Sequence, residues 1–294
     1  MSALALVLLT AAPAQAPPTF SARVDAVYVD VFVTEGRRPV AGLSAQDFEL
    51  RDNGVRQDVE LVAVEATPLD TFLVLDASGS VTGEKLVQLH SALRTFVARL
   101  RPEDEAALLT FDQEIRMLMP RTRDRAALAR AIEQVRPGGS TALFDALFAG
   151  TQLASGRERT LIVLFTDGED NASWFDAGQI RRVLEESNAL LQTVGVVPLE
   201  LRSSAAETPH VRLLRQLAEV TGGRFWPAAS PGGLASAFVA ILDTMKTRYL
   251  LRFEPPPDAP SGRHELEVRL VGRGGRVNCR KAYYLAPPPR AAGR

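Results

Sequence analysis

The chain of 294 residues holds a single cysteine, Cys279, and only three histidines, His90, His210 and His264, far apart in sequence. One cysteine excludes an intramolecular disulfide, and without partners at ligand spacing it excludes a zinc site. The histidines show no paired ligand spacing, so each is expected at the surface or at a boundary. Cys279 lies among alternating strand residues and is expected to act as a small apolar filler. Neither sign of charge dominates. Lys and Arg number 34 against 35 Asp and Glu, a formal net charge of -1, which removes any general attraction to nucleic acid or an anionic membrane. Arg269, Arg273, Arg276 and Arg280 recur at strand-like spacing and read as a solvated sheet face rather than a phosphate-binding stripe. No apolar run is long enough to cross a membrane. There is no Gly-x-Ser-x-Gly elbow around Ser78, no phosphate loop ending in Gly-Lys-Ser/Thr, and no histidine near a candidate nucleophile. These gaps point away from an enzyme.

What is present describes a globular protein. The composition is 46% hydrophobic and 23% charged, and the length allows more than one folding unit. Residues 1–16 resemble an export segment. Residues 3–9 form a short apolar core, followed by the small-residue patterns Ala12-Pro13-Ala14 and Ala14-Gln15-Ala16. Cleavage after Ala14 is preferred, because the second pattern would leave Pro17 at the new terminus. Export without a disulfide fits a bacterial periplasmic or secreted protein.

Val27, Val29, Val31 and Val33 alternate with Tyr28, Asp30 and Phe32, the period of a strand with one buried face. Residues 47–51 and 57–64 read as two further strands joined by the turn Asp52-Asn53-Gly54. From Leu69 the pattern changes. Residues 69–75 and 160–165 are continuous apolar runs, as expected of strands covered on both faces. Between and beyond them lie helical stripes. Leu86, Leu89, Leu93, Phe96, Val97 and Leu100 form one; Leu234, Phe238, Ile241, Leu242, Met245 and Tyr249 form another. Asp124 is placed to cap a helix, Thr208-Pro209 to start one and Gly222-Gly223 to end it. After the last stripe, residues 248–253, 264–271 and 276–285 return to β.

The predicted fold is α/β: a doubly wound, mostly parallel Rossmann-like sheet inserted in a β-sandwich made by N- and C-terminal strands. The predicted divisions are an export segment at 1–16, a β segment at 17–67, the α/β domain at 68–247, a second β segment at 248–286 packed with the first, and a disordered tail at 287–294.

In such a sheet, ligands bind outside the carboxyl ends of the strands. Asp76-Ala77-Ser78-Gly79-Ser80 follows one buried strand, and Thr166-Asp167-Gly168-Glu169-Asp170 follows the other. Gly138-Gly139-Ser140-Thr141 opens a helix between them. Alternation in an extended loop turns Ser78 and Ser80 the same way as Asp76. Asp76, Ser78, Ser80, Thr141 and Asp167 form an all-oxygen set, suited to Mg²⁺, Mn²⁺ or Ca²⁺ rather than zinc or copper. An open position on the ion would take an Asp or Glu carboxylate from a partner protein.

The segment 69–245 resembles a von Willebrand factor type A domain with an intact metal-ion-dependent adhesion site. Its Asp-x-Ser-x-Ser motif falls on Asp76, Ser78 and Ser80, its loop threonine on Thr141 and its second aspartate on Asp167. The resemblance implies that Ser78, Ser80 and Thr141 meet the ion and that the aspartates act mostly through water. Residues 27–33, 42–48 and 52–54 resemble a bacterial family related to this domain, best represented in Acidobacteria. So do residues 280–284, although Ala282 stands where a glycine is common. Asp145 is a candidate support for metal waters or a first-turn helix acid. Glu169 and Asp170 are candidates for a second cation or a solvated acidic loop. Trp174, with Phe175, is a candidate rim contact or a cover for the sheet edge. The expected function is an exported, metal-dependent protein-binding module. The alternatives are a metal-independent structural or assembly subunit, or a metal-dependent hydrolase.

Overall fold

The computed structural model describes residues 26–36, 38–63, 67–155, 159–196, 208–228 and 232–286. The expected export segment and tail lie outside these residues. The N-terminal part supplies β1 (Val27–Glu35), β2 (Arg38–Pro39), β3 (Phe48–Asp52), β4 (Val55–Gln57) and β5 (Glu60–Val62). The middle supplies β6 (Asp70–Asp76), α1 (Glu84–Arg99), β7 (Glu105–Phe111), β8 (Ile115–Thr122), α2 (Arg125–Ile132) and α3 (Leu143–Leu153). It continues through β9 (Thr160–Thr166), α4 (Ala177–Glu186), β10 (Leu190–Val196), α5 (Pro209–Val220), β11 (Phe225–Ala228) and α6 (Gly233–Lys246). The C-terminal part adds β12 (Tyr249–Phe253), β13 (Gly262–Leu270), β14 (Arg276–Asn278) and β15 (Ala282–Leu285).

β6 and β9 are buried along their whole length, so each needs cover on both faces. They lie at the centre of a six-stranded sheet of order β11-β10-β9-β6-β7-β8. All neighbours pair in parallel except the edge strand β8, which runs antiparallel to β7. Alternation along β6 divides its side chains between two cores. Leu73 and Leu75 pack with Leu89, Phe96, Leu128 and Phe238, from α1, α2 and α6. Phe72 and Val74 pack with Leu147, Ile180, Leu184 and Leu214, from α3, α4 and α5. Helices therefore cover both faces, as the continuous apolar strands require. Tyr249, counted above on the last helical stripe, belongs instead to β12: α6 ends at Lys246 and Thr247 closes it.

The remaining strands form two antiparallel sheets. One has the order β14-β1-β12-β5, with β2 beside β1; the other has the order β15-β13-β3-β4. Each contains strands from both ends of the chain. Val29 pairs with Leu251, and Leu50 pairs with Val268. A single apolar cluster takes Val29 and Leu251 from the first sheet and Leu50, Val268 and Tyr283 from the second. Cys279 is buried in this cluster, as its expected role as filler requires, and burial pushes its thiol pKa up.

Two expected strands are each divided between the sheets. The run read as 57–64 is cut at Asp58-Val59: β4 stays hairpinned to β3 through Asn53-Gly54, and β5 crosses to β12. The run 276–285 is cut at Cys279–Lys281, with β14 on β1 and β15 on β13. Alternation cannot show a change of sheet here, because β4, β5 and β14 have three residues each, too short to display a period.

Two expectations of exposure are corrected. Arg280 is buried, not solvated, and its guanidinium donates to the carbonyls of Ser187 and Glu185 and to Asn188 Oδ1. Burial lowers its pKa to about 10. His264 is buried as well. Its Nδ1 lies 2.8 Å from Asp52 Oδ1 and its Nε2 lies 2.6 Å from the Pro260 carbonyl. Buried polar groups need such partners, and those of Arg280, like Asp52 for His264, lie far off in sequence.

The junction between the parallel sheet and the antiparallel sheets is tight. Gly222 has φ +80°, and a Cβ there would lie 2.6 Å from the Arg280 backbone nitrogen. Next to it, inside the parallel-sheet unit, a Cβ on Gly223 would lie 1.7 Å from the Leu191 carbonyl oxygen of β10. Arg248 spans the junction, pairing with Asp30 and donating to the Gly222 carbonyl at 3.0 Å.

Candidate metal centre

β6 and β9 are parallel neighbours, with Leu75 opposite Phe165. The chain therefore leaves both strands at one edge, and the acidic residues that follow them meet there. Asp76 is buried. Its Oδ1 accepts the Ser78 N–H at 2.8 Å, and its Oδ2 accepts the Thr166 hydroxyl at 2.6 Å. Burial pushes the Asp76 pKa up and the charge of Asp167 adds to this, while hydrogen bonds from Ser78 and Thr166 oppose it.

Ser80 donates its hydroxyl to Asp167 Oδ1 at 2.6 Å. The Ser78 and Ser80 oxygens are 3.1 Å apart. Ser80 has one hydroxyl hydrogen, and it is committed to Asp167. Ser78 is therefore the donor in that pair. Asp76, Ser78, Ser80 and Asp167 thus form one continuous hydrogen-bonded chain.

Lys85 closes the outer side. Its Nζ lies 2.5 Å from Asp167 Oδ2 and 3.3 Å from the Ser80 carbonyl. The Asp167 side chain is 1% exposed and that of Lys85 46%, so the ammonium caps the carboxylate. A lysine in the first turn of α1 opposes the helix dipole, and the contact with Asp167 offsets that cost.

Thr141 is buried just before α3. Its N–H donates to Asn171 Oδ1 at 2.8 Å, and its carbonyl accepts from the N–H groups of Asn171 and Ala172. A Cβ on Gly168 would lie 3.7 Å from Thr141 Oγ1, so the hydroxyl faces the Asp167-Gly168 turn. The two loops are tied together, Gly79 N–H to the Gly139 carbonyl at 3.1 Å and Gly138 N–H to the Ala77 carbonyl at 2.8 Å. Gly139 has φ +73°, and a Cβ there would overlap the Gln113 amide oxygen, which accepts the Ser140 N–H.

The neighbouring candidates divide. Asp145 accepts the N–H groups of Trp174 and Phe175, both at 3.0 Å, and so anchors the loop after Asp167. Asp170 accepts from the Ser173 hydroxyl at 2.5 Å, while Glu169 is exposed. Phe175 stacks on Phe148, with ring centroids 4.5 Å apart. Trp174 is 95% exposed and covers nothing.

Thr166, Lys85 and Asn171 were not singled out from the sequence. Thr166 had a signal: a hydroxyl at the buried end of the strand paired with the one that ends in Asp76. Lys85 and Asn171 had none. His210, read as a boundary residue, stands in the first turn of α5, within electrostatic reach of the site. Burial holds its pKa below the ordinary value, although Glu169, Asp76 and Asp167 pull it upward.

Among the described residues, no three His, Cys, Asp or Glu side chains group as a metal site. Any cation at this edge would depend on the hydroxyls. The donors present are hydroxyl and carboxylate oxygens, a set that fits a hard divalent cation.

Residues 71–169 match the model of the von Willebrand factor type A domain. The chain carries a von Willebrand factor type A domain. An uncharacterized protein of Synechocystis sp. is 37% identical over 108 residues, covering 35% of this chain and 26% of that protein. Human inter-alpha-trypsin inhibitor heavy chain H2 is 30% identical over 138 residues, 42% of this chain and 15% of that protein. The match therefore spans 26% or less of the length of either relative. A von Willebrand factor type A structure from Catenulispora acidiphila superposes with a TM-score of 0.52 at 15% identity, covering 86% of this chain and 76% of that one. Proximal thread matrix protein 1 of the mussel byssus superposes with a TM-score of 0.51 at 14% identity, covering 61% of this chain and 48% of that one. At these identities the likeness establishes the fold alone. No described helix is long and apolar enough to cross a membrane.

Proposed function

We propose that this chain is an exported protein-binding module, periplasmic or secreted, that engages an Asp or Glu carboxylate of a partner protein through a divalent cation. The donor set favours Mg²⁺, with Mn²⁺ or Ca²⁺ as substitutes. Ser78, Ser80 and Thr141 would hold the ion, and Asp76 and Asp167 would act mostly through water. The bound ion would supply a positive, open position for the partner's carboxylate. The observation that carries this reading is the hydrogen-bonded chain of Asp76, Ser78, Ser80 and Asp167 at the carboxyl edge of the sheet. An indirect role suits Asp76, since both its oxygens already accept protein donors. Trp174, exposed beside this edge, would form part of the contact rim. Catalysis is not part of the reading. Among the described residues no histidine hydrogen-bonds Ser78, Ser80 or Thr141, so none is placed as a base. The two antiparallel sheets would form a sandwich that carries the α/β unit, a reading supported by their common apolar cluster.

Calorimetric titration with Mg²⁺ tests the proposal. Wild type should bind one ion, and Asp76→Ala and Ser78→Ala/Ser80→Ala should each lose that binding. Capture of a partner from the native envelope should then disappear on adding a chelator.

One observation favours a second reading, a metal-independent assembly subunit. The Lys85 ammonium already balances Asp167. In the metal-binding reading, Lys85→Met should raise Mg²⁺ affinity by up to about fivefold, the scale of a part-exposed ion pair. If neither wild type nor Lys85→Met takes up the ion, the assembly reading stands.

A further inference from the structure

A second polar cleft lies at the other end of the parallel sheet. Asp76 and Asp167 stand at the carboxyl ends of their strands, whereas Gly223 and Arg224 stand at the amino end of β11, which runs parallel to β10. There α5 and β11 face β1 and β14 across a cleft of about 540 Å³. Among the described residues, Arg215, Arg224 and Arg276 line it, against one carboxylate, Glu219. In a chain with a formal net charge of -1, this is a local concentration of positive charge.

Two of the three guanidinium groups lie over aromatic rings. Arg224 Cζ lies 4.8 Å from the Trp226 ring centre and 5.8 Å from that of Phe32. Arg215 Cζ lies 5.5 Å from the Phe225 ring centre. A guanidinium over a ring face is held by the ring's charge distribution without using up its N–H donors. Among the described residues, neither Arg224 nor Arg276 makes an ion pair, and both are exposed. Although Arg224 is exposed, the rings and chain packed beside its guanidinium partly desolvate it and hold its pKa below its ordinary value, and the charges of Arg248, Arg276 and Arg215 lower it further. The arginines crowd one another, and an anion between them would relieve that repulsion. Arg248 sits behind Phe32, 5.7 Å from the ring centre, but it is already paired with Asp30.

We propose that this cleft binds a small, multiply charged oxyanion, gripped by the N–H edges of Arg224 and Arg276 with Arg215 at its side. Guanidinium forks match phosphate and carboxylate groups bidentately. The volume is that of a small-molecule site, typically about 300–1,000 Å³. The site does not depend on the cation centre at the opposite edge.

The test titrates the full chain calorimetrically in metal-free, low-salt buffer with two probes, sodium pyrophosphate and sodium citrate. At least one probe should bind saturably. Arg224→Gln and Arg276→Gln should each weaken that binding about tenfold or more, as expected for a lost charge-assisted contact. Asp76→Ala should bind as wild type does. Binding of pyrophosphate alone assigns the cleft to phosphate compounds, citrate alone to polycarboxylates, and both to oxyanions generally. If Arg224→Gln melts below wild type, Arg276→Gln at the exposed end of β14 decides. The proposal is overturned if neither probe saturates below about 10 mM. It is equally overturned if the arginine variants bind as tightly as wild type, or if Asp76→Ala abolishes binding.

Discussion

Single residues determine which charges this fold can bury. Asp104 stands before β7. Its Oδ1 accepts the Leu69 N–H and its Oδ2 the Arg101 N–H, both at 2.9 Å, and the Arg101 guanidinium approaches to 2.8 Å. Burial alone would raise its pKa, but these donors outweigh it and the folded value is lowered. A lowered carboxyl pKa stabilises the folded state fully above the ordinary carboxylate range. That stabilisation is lost as pH falls through the folded value. Urea midpoints should therefore drop on acidification below about pH 4. Asp104→Asn should flatten this slope and cost about 1–3 kcal/mol at neutral pH. A variant with the wild-type midpoint and acid slope would show that the Arg101 contact contributes nothing. At this scale the sequence was informative where a motif fixed the spacing, as for Asp76, Ser78 and Ser80. It was silent where a partner came from afar. Lys85 reaches Asp167 across 82 positions, and His264 reaches Asp52 across 212.

Elements were legible where pattern and cap agreed. Asp124 was expected to start a helix, and it accepts the Ala127 N–H at 2.9 Å as the cap of α2. Thr208 caps α5 in the same way, with Pro209 at the first turn. Removing the α2 cap with Asp124→Ala should cost about 1 kcal/mol. Chemical denaturation would measure it, and an unchanged midpoint would mean that packing of Leu128 and Ile132 holds the helix unaided. The edge strand β8 runs from Ile115 to Thr122. Its residues are mostly exposed or half-buried, so hydrophobic patterning could not mark its end. The two divided strands, 57–64 and 276–285, failed for another reason. A strand's alternation records a buried face but not which sheet provides it.

At the scale of the whole molecule, the two ends of the chain are interleaved. β1 pairs with β12 and β3 with β13, so neither flank completes a sheet alone. A protease site engineered at the Thr67-Pro68 junction and cut under native conditions should leave the N-terminal fragment bound. Gel filtration should show one peak before denaturant and two after it. Release of a folded fragment in native buffer would mean that the ladders between the flanks are too weak to define one unit. The alternation of strands and helices after Leu69 made the α/β part readable from sequence. The pairing of the flanks could be inferred only from their small size, because strand pairing over 200 positions leaves no local trace.

The pairing of β5 with β12 has a mechanical consequence. Val62, where the chain heads toward the parallel sheet, lies opposite Leu250, where it has just returned. The whole α/β excursion is stapled shut at its neck. Tension along the polypeptide on either side of that neck must open the Glu60–Val62 ladder pair by pair, from Glu60–Arg252 inward, before it can stretch any strand beneath Asp76. The loops at the far edge are thus insulated, because the neck must part before any pull reaches them.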